Sequence, residues 1–274
     1  MCLAVLALHA VPGIPVLIAA NRDEFHARPT LAAAQWPDAA GIYAGRDALA
    51  GGTWMGASSH GRYALVTNFR EPGLNRADAP SRGALVERYL RGDEPPAEYM
   101  ARVHDEGQAY NGFNLIVGDM EQAWYVSNRD GAPRRLVAGL YALSNHLLDT
   151  PWPKLARTKR AFTDVLRQGQ GPQPDLPALY TALADREPAA DDELPATGLP
   201  PDREKLLSSP FIVSPTYGTR SSTVLALREH GAGLLHERRY APDGTLNGES
   251  ELLFELPSEY AGARTPDAVA GRNA

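Results

Sequence analysis

The sequence predicts an α+β fold built in layers. Segments that read as strands and segments that read as helices come in separate runs rather than alternating one by one. That order favours antiparallel sheets flanked by helices over a parallel βαβ sheet. The strand candidates are short apolar runs bounded by Gly, Pro, Asn and Ser, whereas the helix candidates carry apolar residues on one 3.6-residue stripe. With 274 residues, 43% hydrophobic and 22% charged, the chain can bury a sizeable core and has an ordinary globular composition. The expected organisation is a single domain over residues 1–257, followed by a small, polar and charged tail, 258–274, expected to fray.

Taken in order, residues 3–8 and 16–20 are two apolar runs parted by Pro12-Gly13, a hairpin signal. Residues 26–42 read as irregular. The glycine-punctuated stretch Gly51-Gly52-Thr53-Trp54-Met55-Gly56 leads to a strand at 62–67, which stops at Asn68-Phe69-Arg70. Ser81 can cap a helix over about 82–90, with Leu85, Val86, Tyr89 and Leu90 on one face. Pro95-Pro96 opens a second helix to about 105, since proline is tolerated in a first turn.

Asn111-Gly112 precedes a second strand pair, 113–117 and 123–127, and a short strand at 140–143 ends in Ser144-Asn145. After Thr150-Pro151-Trp152-Pro153 comes the clearest helix, 154–167, with Leu155, Phe162, Val165 and Leu166 on one stripe. A further helix over 176–184 has Asp175 as its N-cap. Residues 187–202 read as a surface loop, 201–207 as a helical turn or two, and 219–227, 233–240 and 251–256 as the last three strands.

A net charge of −6 argues against a nucleic-acid surface, which needs a positive excess. One cysteine makes no intramolecular disulfide. The apolar N-terminus raises the question of a secretory signal. No Lys or Arg precedes it, and Pro12, Gly13 and Pro15 cut it into strand-sized pieces. No window approaches the length of a transmembrane helix, so a cytoplasmic protein is the default expectation. The seven histidines form no i,i+4 helical pair, and cysteine ligands are lacking, so no metal site is expected. Dinucleotide, Walker, G-x-S-x-G and C-x-x-C-H signatures are also missing.

Cys2 is the sharpest chemical candidate. Removal of Met1 would give one residue both a thiol and a free α-amine, which titrate near ~8.5 and ~8. An amine of that kind is a known base for a nucleophile. The alternative is a small buried hydrophobe in a first strand, the usual fate of a free cysteine. An antiparallel hairpin brings Arg22 and Asp23 back beside Cys2. Arg22 would then stabilise a thiolate or oxyanion, and Asp23 would hold the amine. Asn68, Asn145 and Arg220 lie at strand ends; asparagine amides suit an oxyanion, although each is also an ordinary residue of turns.

Cys2 together with Leu17-Ile18-Ala19-Ala20-Asn21-Arg22-Asp23-Glu24-Phe25 resembles the opening of the NRDE family, also called the transport and Golgi organisation 2 family. The resemblance continues through Gly51-Gly52-Thr53-Trp54-Met55-Gly56, Thr67-Asn68-Phe69, Tyr110-Asn111-Gly112-Phe113-Asn114-Leu115, Leu143-Ser144-Asn145, Thr150-Pro151-Trp152 and Tyr217-Gly218-Thr219-Arg220. It implies an N-terminal-nucleophile (Ntn) hydrolase-like fold, a four-layer αββα sandwich of two antiparallel sheets. By position Cys2, Asp23, Asn68, Asn145 and Arg220 match the parts of the bile-salt hydrolase and penicillin V acylase branch. That branch spaces its Arg and Asp as R-x-x-D, whereas Arg22 and Asp23 are adjacent and so point to opposite faces of a strand. This leaves open which way Arg22 faces. The resemblance implies a cysteine amidohydrolase acting on an amide, or a thioester, of a small substrate without a required cofactor. The alternative it carries is a non-catalytic protein that binds and traffics haem, a lipid or acyl-CoA.

Overall fold

The computed structural model describes residues 2–169 and 171–257. The tail expected from residue 258 lies outside the described residues. The chain begins with the expected hairpin, β1 (Cys2–Val11) and β2 (Ile14–Phe25), with Cys2 opposite Arg22 and Leu8 opposite Val16. Gly13 turns it at φ +75°, a conformation that costs glycine nothing and an L side chain a good deal. β2 runs well past its apolar stretch and takes the whole Asn21-Arg22-Asp23-Glu24 tetrad into the sheet.

There follow β3 (Thr30–Gln35), β4 (Ile42–Asp47), β5 (Met55–Ser58), β6 (Tyr63–Asn68), α1 (Gly83–Arg91) and α2 (Pro96–Glu106). Next come β7 (Phe113–Gly118), β8 (Ala123–Ser127), β9 (Arg134–Leu136), β10 (Gly139–Leu143), α3 (Pro153–Gln168), α4 (Leu176–Leu183) and α5 (Pro201–Leu206). The chain closes with β11 (Tyr217–Arg228), β12 (Ala232–Tyr240) and β13 (Leu246–Glu255). Six strands form one sheet in the order β10-β1-β2-β11-β12-β13, and seven form the other in the order β3 through β9. Every pairing is antiparallel.

Period-2 alternation explains the layers. Ala4, Leu6, Leu8, Val16 and Ile18 face the second sheet and pack with Met55, Leu65, Ile116 and Tyr125. Leu3, Val5, Ala7, Leu17 and Ala19 face the other way, against Leu155 and Phe162 of α3 and Leu179 and Leu183 of α4. On the far face of the second sheet, Ala64, Val66 and Leu115 meet Leu85, Val86 and Tyr89 of α1 and Met100 and Val103 of α2. The result is the four-layer αββα sandwich of an α+β fold. A strand covered on both faces has no polar side to show, which is why residues 3–8 read as an unbroken apolar run. Each such aliphatic side chain contributes roughly 1.5–3 kcal/mol on burial.

Two expectations need correction. Residues 26–42 are not wholly irregular, because β3 lies within them and β4 starts at their end. β3 is an alanine-rich edge strand that buries only Ala33, so it lacks both β-propensity and alternation. The Ala33 N–H donates to Glu237 Oε1 of β12 at 2.9 Å, and Tyr43 stacks on Phe254 with centroids 4.2 Å apart; both contacts tie the two sheets together. Ser81 does not cap α1: Arg82 holds the N-cap position without a side-chain bond. The Asp175 cap is as expected, accepting from the Ala178 N–H at 3.0 Å. No helix among the described residues is long and apolar enough to cross a membrane.

Candidate functional site at the Cys2 end of the sandwich

Residues directly opposed across an antiparallel pair share a face. Since Cys2 pairs with Arg22, both belong to the inter-sheet side of the first sheet, at the end where the two sheets part. A cavity of about 370 Å³ opens there, with Cys2, Arg22, Glu24, Thr53, Trp54, Asn68 and Arg82 among its walls. Arg28 and Arg76 also line it, so four arginines share the cavity wall with Cys2. The Arg22 guanidinium lies 4.3 Å over the Trp54 ring, donates to Thr30 Oγ1 at 3.1 Å and sits 3.9 Å from Glu24. Gly45 makes room for that ring, because a Cβ there would lie 2.3 Å from it. Strand alternation therefore separates the Arg22 side chain, on the Cys2 face of the sheet, from that of Asp23, although Asp23 also contributes to the cavity wall.

Asp23 turns to the helical side. It is 1% exposed and accepts from Thr219 Oγ1 at 2.7 Å, and its backbone N–H donates towards the Cys2 sulfur. Burial pushes the Asp23 carboxyl above its ordinary range, opposed chiefly by the Lys154 cation. Burial likewise pushes the Cys2 thiol up, although the residue as a whole stays partly accessible through the cavity.

The two asparagines play unequal parts. Asn68 ends β6, lines the cavity, and its amide is not tied to another group among the described residues. Asn145 is fully buried and spends an amide N–H on the Asn68 carbonyl at 3.0 Å. It supports Asn68 from behind. Its neighbour Ser144 donates to the Cys2 carbonyl at 2.9 Å and accepts, through its own carbonyl, from Thr67 Oγ1 at 2.6 Å. Arg220 occupies a bulge between β11 and β2. Its Nη1 donates to the carbonyls of Phe25, His26 and Arg28 at 3.0, 3.2 and 3.1 Å. It holds the turn after β2 and is not among the residues that line the cavity.

Sequence reasoning passed over Lys154, Arg82, Trp54 and the pair Arg70–Glu204. Lys154 is 2% exposed in the first turn of α3. A cation at the positive end of a helix runs against the macrodipole, and Pro153 just before it marked that position in the sequence. Arg82 donates to the Gly112 carbonyl at 3.0 Å, and burial lowers its pKa. Arg70 and Glu204 form an ion pair of 2.6 Å with both side chains buried. No cluster of three or more His, Cys, Asp or Glu residues able to hold a metal ion occurs among the described residues. A second cavity of about 480 Å³ adjoins the first through Glu24, Arg28, Asn68, Arg82 and Asn111, and its wall includes Phe25, Phe69, Pro72, Leu199 and Leu207.

Comparison with known proteins agrees with the residue pattern. The family model described as Transport and Golgi organisation 2 matches residues 1–242. The Transport and Golgi organization protein 2 homolog of Bos taurus is 36% identical over 237 residues, covering 81% of this chain and 86% of that protein. The Mus musculus homolog is 32% identical over 260 residues, covering 89% and 93%. Among solved structures, the N-acylethanolamine-hydrolyzing acid amidase ortholog of Caenorhabditis elegans aligns at 14% identity with a TM-score of 0.47, covering 82% of this chain and 92% of that one. With a matching model over most of its length and relatives above 30% identity, the chain belongs to the Transport and Golgi organisation 2 family.

Proposed function

We propose that the protein is a cysteine amidohydrolase of the N-terminal-nucleophile type, acting on an amide or thioester of a small substrate. The observation that carries this reading is the placement of Cys2 at the open end of a central strand, opposite Arg22 and beside Asn68 in one cavity. With Met1 removed, the α-amine of Cys2 takes the thiol proton and Sγ attacks the substrate carbonyl carbon. The oxyanion then accepts from the Asn68 amide and faces the Arg22 cation. Collapse breaks the carbon–nitrogen bond, and the leaving amine takes the proton from the α-amine. Water hydrolyses the thioester to a carboxylic acid and restores the thiol. No cofactor is needed for these steps.

The second reading, a non-catalytic lipid or acyl-CoA carrier, is favoured by the apolar wall of the adjoining cavity. Haem held by the Cys2 thiolate fits less well. The cavity around the sulfur carries four arginines and three carboxylates beside apolar residues such as Leu49, Trp54 and Val66, whereas a porphyrin plane requires an apolar slot.

Intact mass and labelling with a cysteine-directed acylating probe test the first reading. A chain lacking Met1 and a stable adduct that disappears in Cys2→Ala are expected. A retained Met1, or labelling that survives Cys2→Ala, overturns it. A saturable, Cys2-sensitive Soret change on haem titration would instead revive thiolate ligation.

A further inference from the structure

Lys154 is the one described lysine that is deeply buried, and its Nζ has no hydrogen-bond partner. Such a group is costly: a bare ammonium loses its water, and here it also sits in the first turn of α3, at the positive end of the helix. α3 lies on the outer face of the first sheet, against β1 and β10. Leu155, next to Lys154, shares a cluster with Leu3, next to Cys2, so the start of α3 lies under the strand end that carries Cys2. The charged groups facing it are Arg70, Asp23, Cys2 and Glu204. Glu204 is already ion-paired with Arg70 at 2.6 Å, so the anions nearest to acting on Lys154 alone are the Asp23 carboxylate and the thiolate.

We propose that Lys154 is a positioning residue for the Cys2 thiolate: from the helical side of the sheet its ammonium adds to the groups that offset the Asp23 carboxylate beside the ionising sulfur. This role rests on Cys2 as the nucleophile. Without Lys154, Asp23 would oppose ionisation of the neighbouring thiol at short range in a dry setting, where Coulomb effects are strong. The other charges around Cys2 do not replace it. Arg22 from β2 approaches from the cavity and is shared with Glu24 and Thr30, Arg82 comes from the start of α1, and the chain's own amine and Tyr217 of β11 complete the set. Burial and the neighbouring Arg70 bring Lys154 down to about 8, which keeps it cationic at neutral pH.

The test uses the fact that Cys2 is the only cysteine, so alkylation of the native protein by iodoacetamide reports one thiol. The rate is followed from pH 6 to 10 for the unaltered protein, Lys154→Met and Lys154→Arg. In Lys154→Met the midpoint is expected to rise by at least one pH unit, with a rate about tenfold lower at pH 7. Lys154→Arg restores most of the original midpoint. Thermal melting accompanies each profile and shows whether the variant is folded. An unchanged midpoint in a folded Lys154→Met overturns the proposal, as does a Lys154→Arg profile equal to that of Lys154→Met. If Lys154→Met is not folded, Lys154→Gln is read in its place on the same criterion. The readout is thiol ionisation and not turnover, so absence of any hydrolase activity would overturn the amidohydrolase reading while leaving this result standing.

Discussion

Two buried cations lie near one another beneath the site, and they are held differently. Arg70 has a carboxylate partner at 2.6 Å, stacks 4.7 Å from the Trp152 ring, and has its pair buttressed where the Thr197 N–H donates to Glu204 Oε1 at 3.0 Å. Lys154 has no such partner. The first arrangement fastens α5 to the loop after β6 through one guanidinium nitrogen, while Arg70 Nε and Nη2 stay buried without a hydrogen-bond partner. The second leaves its charge uncommitted, directed at Asp23 and Cys2. A buried pair explains itself as architecture, whereas a buried single charge has to be explained by what it acts upon.

The contrast can be broken most severely from the paired side. Glu204→Gln would strand Arg70 without a counter-charge, at an expected cost of about 3–5 kcal/mol in denaturant unfolding. Removing Lys154 should act chiefly on the thiol. Lys154→Met removes a desolvated ammonium but also a counter-charge of Asp23, so its expected mark is slower Cys2 alkylation at neutral pH.

Its pH dependence has a definite sign. Below about 8 Lys154 is protonated in both folded and unfolded chains, and its destabilisation is full and constant. Between about 8 and the ordinary lysine value near ~10.4, the unfolded chain binds more protons, so stability rises with pH. The stability of the parent relative to Lys154→Met should therefore rise across that window. A constant difference from pH 7 to 10.5 would show that Lys154 is not the titrating group. The smallest change sharpens the comparison from the other side: Thr197→Val removes one hydroxyl donor to Glu204 and should cost about 1 kcal/mol without moving the thiol profile.

How much of this was legible in the sequence differs between fold and site. The opening hairpin follows from two apolar runs and a Pro-Gly turn, and its register alone brings Arg22 opposite Cys2. β3 was hidden because alanines at an edge carry no strand signal, and the reach of β2 was hidden because charged residues are not expected inside a sheet. Asn68 and Asn145 are adjacent in space as their strand ends suggested, but only coordinates separate the amide that faces the cavity from the one that braces it. Arg220 shows the limit of transfer by position, since a bulge turns it to the carbonyls of the turn after β2. Lys154 was illegible for a different reason. A lysine at the start of an amphipathic helix reads as solvated, and its burial depends on Trp152, Arg70 and a sheet assembled from distant segments.

The bonds from Thr67 to Ser144 and from Ser144 to Cys2 have a consequence in time as well as in space. Thr67 belongs to the second sheet and Ser144 follows the edge strand of the first, so the nucleophile's backbone is registered by both halves of the sandwich. Any breathing motion that parts the sheets at this end must release Cys2 first. Amide hydrogen exchange at the start of β1, the end of β6 and the Ser144 loop should accordingly proceed as one opening event, faster than the apolar middle of the same strands.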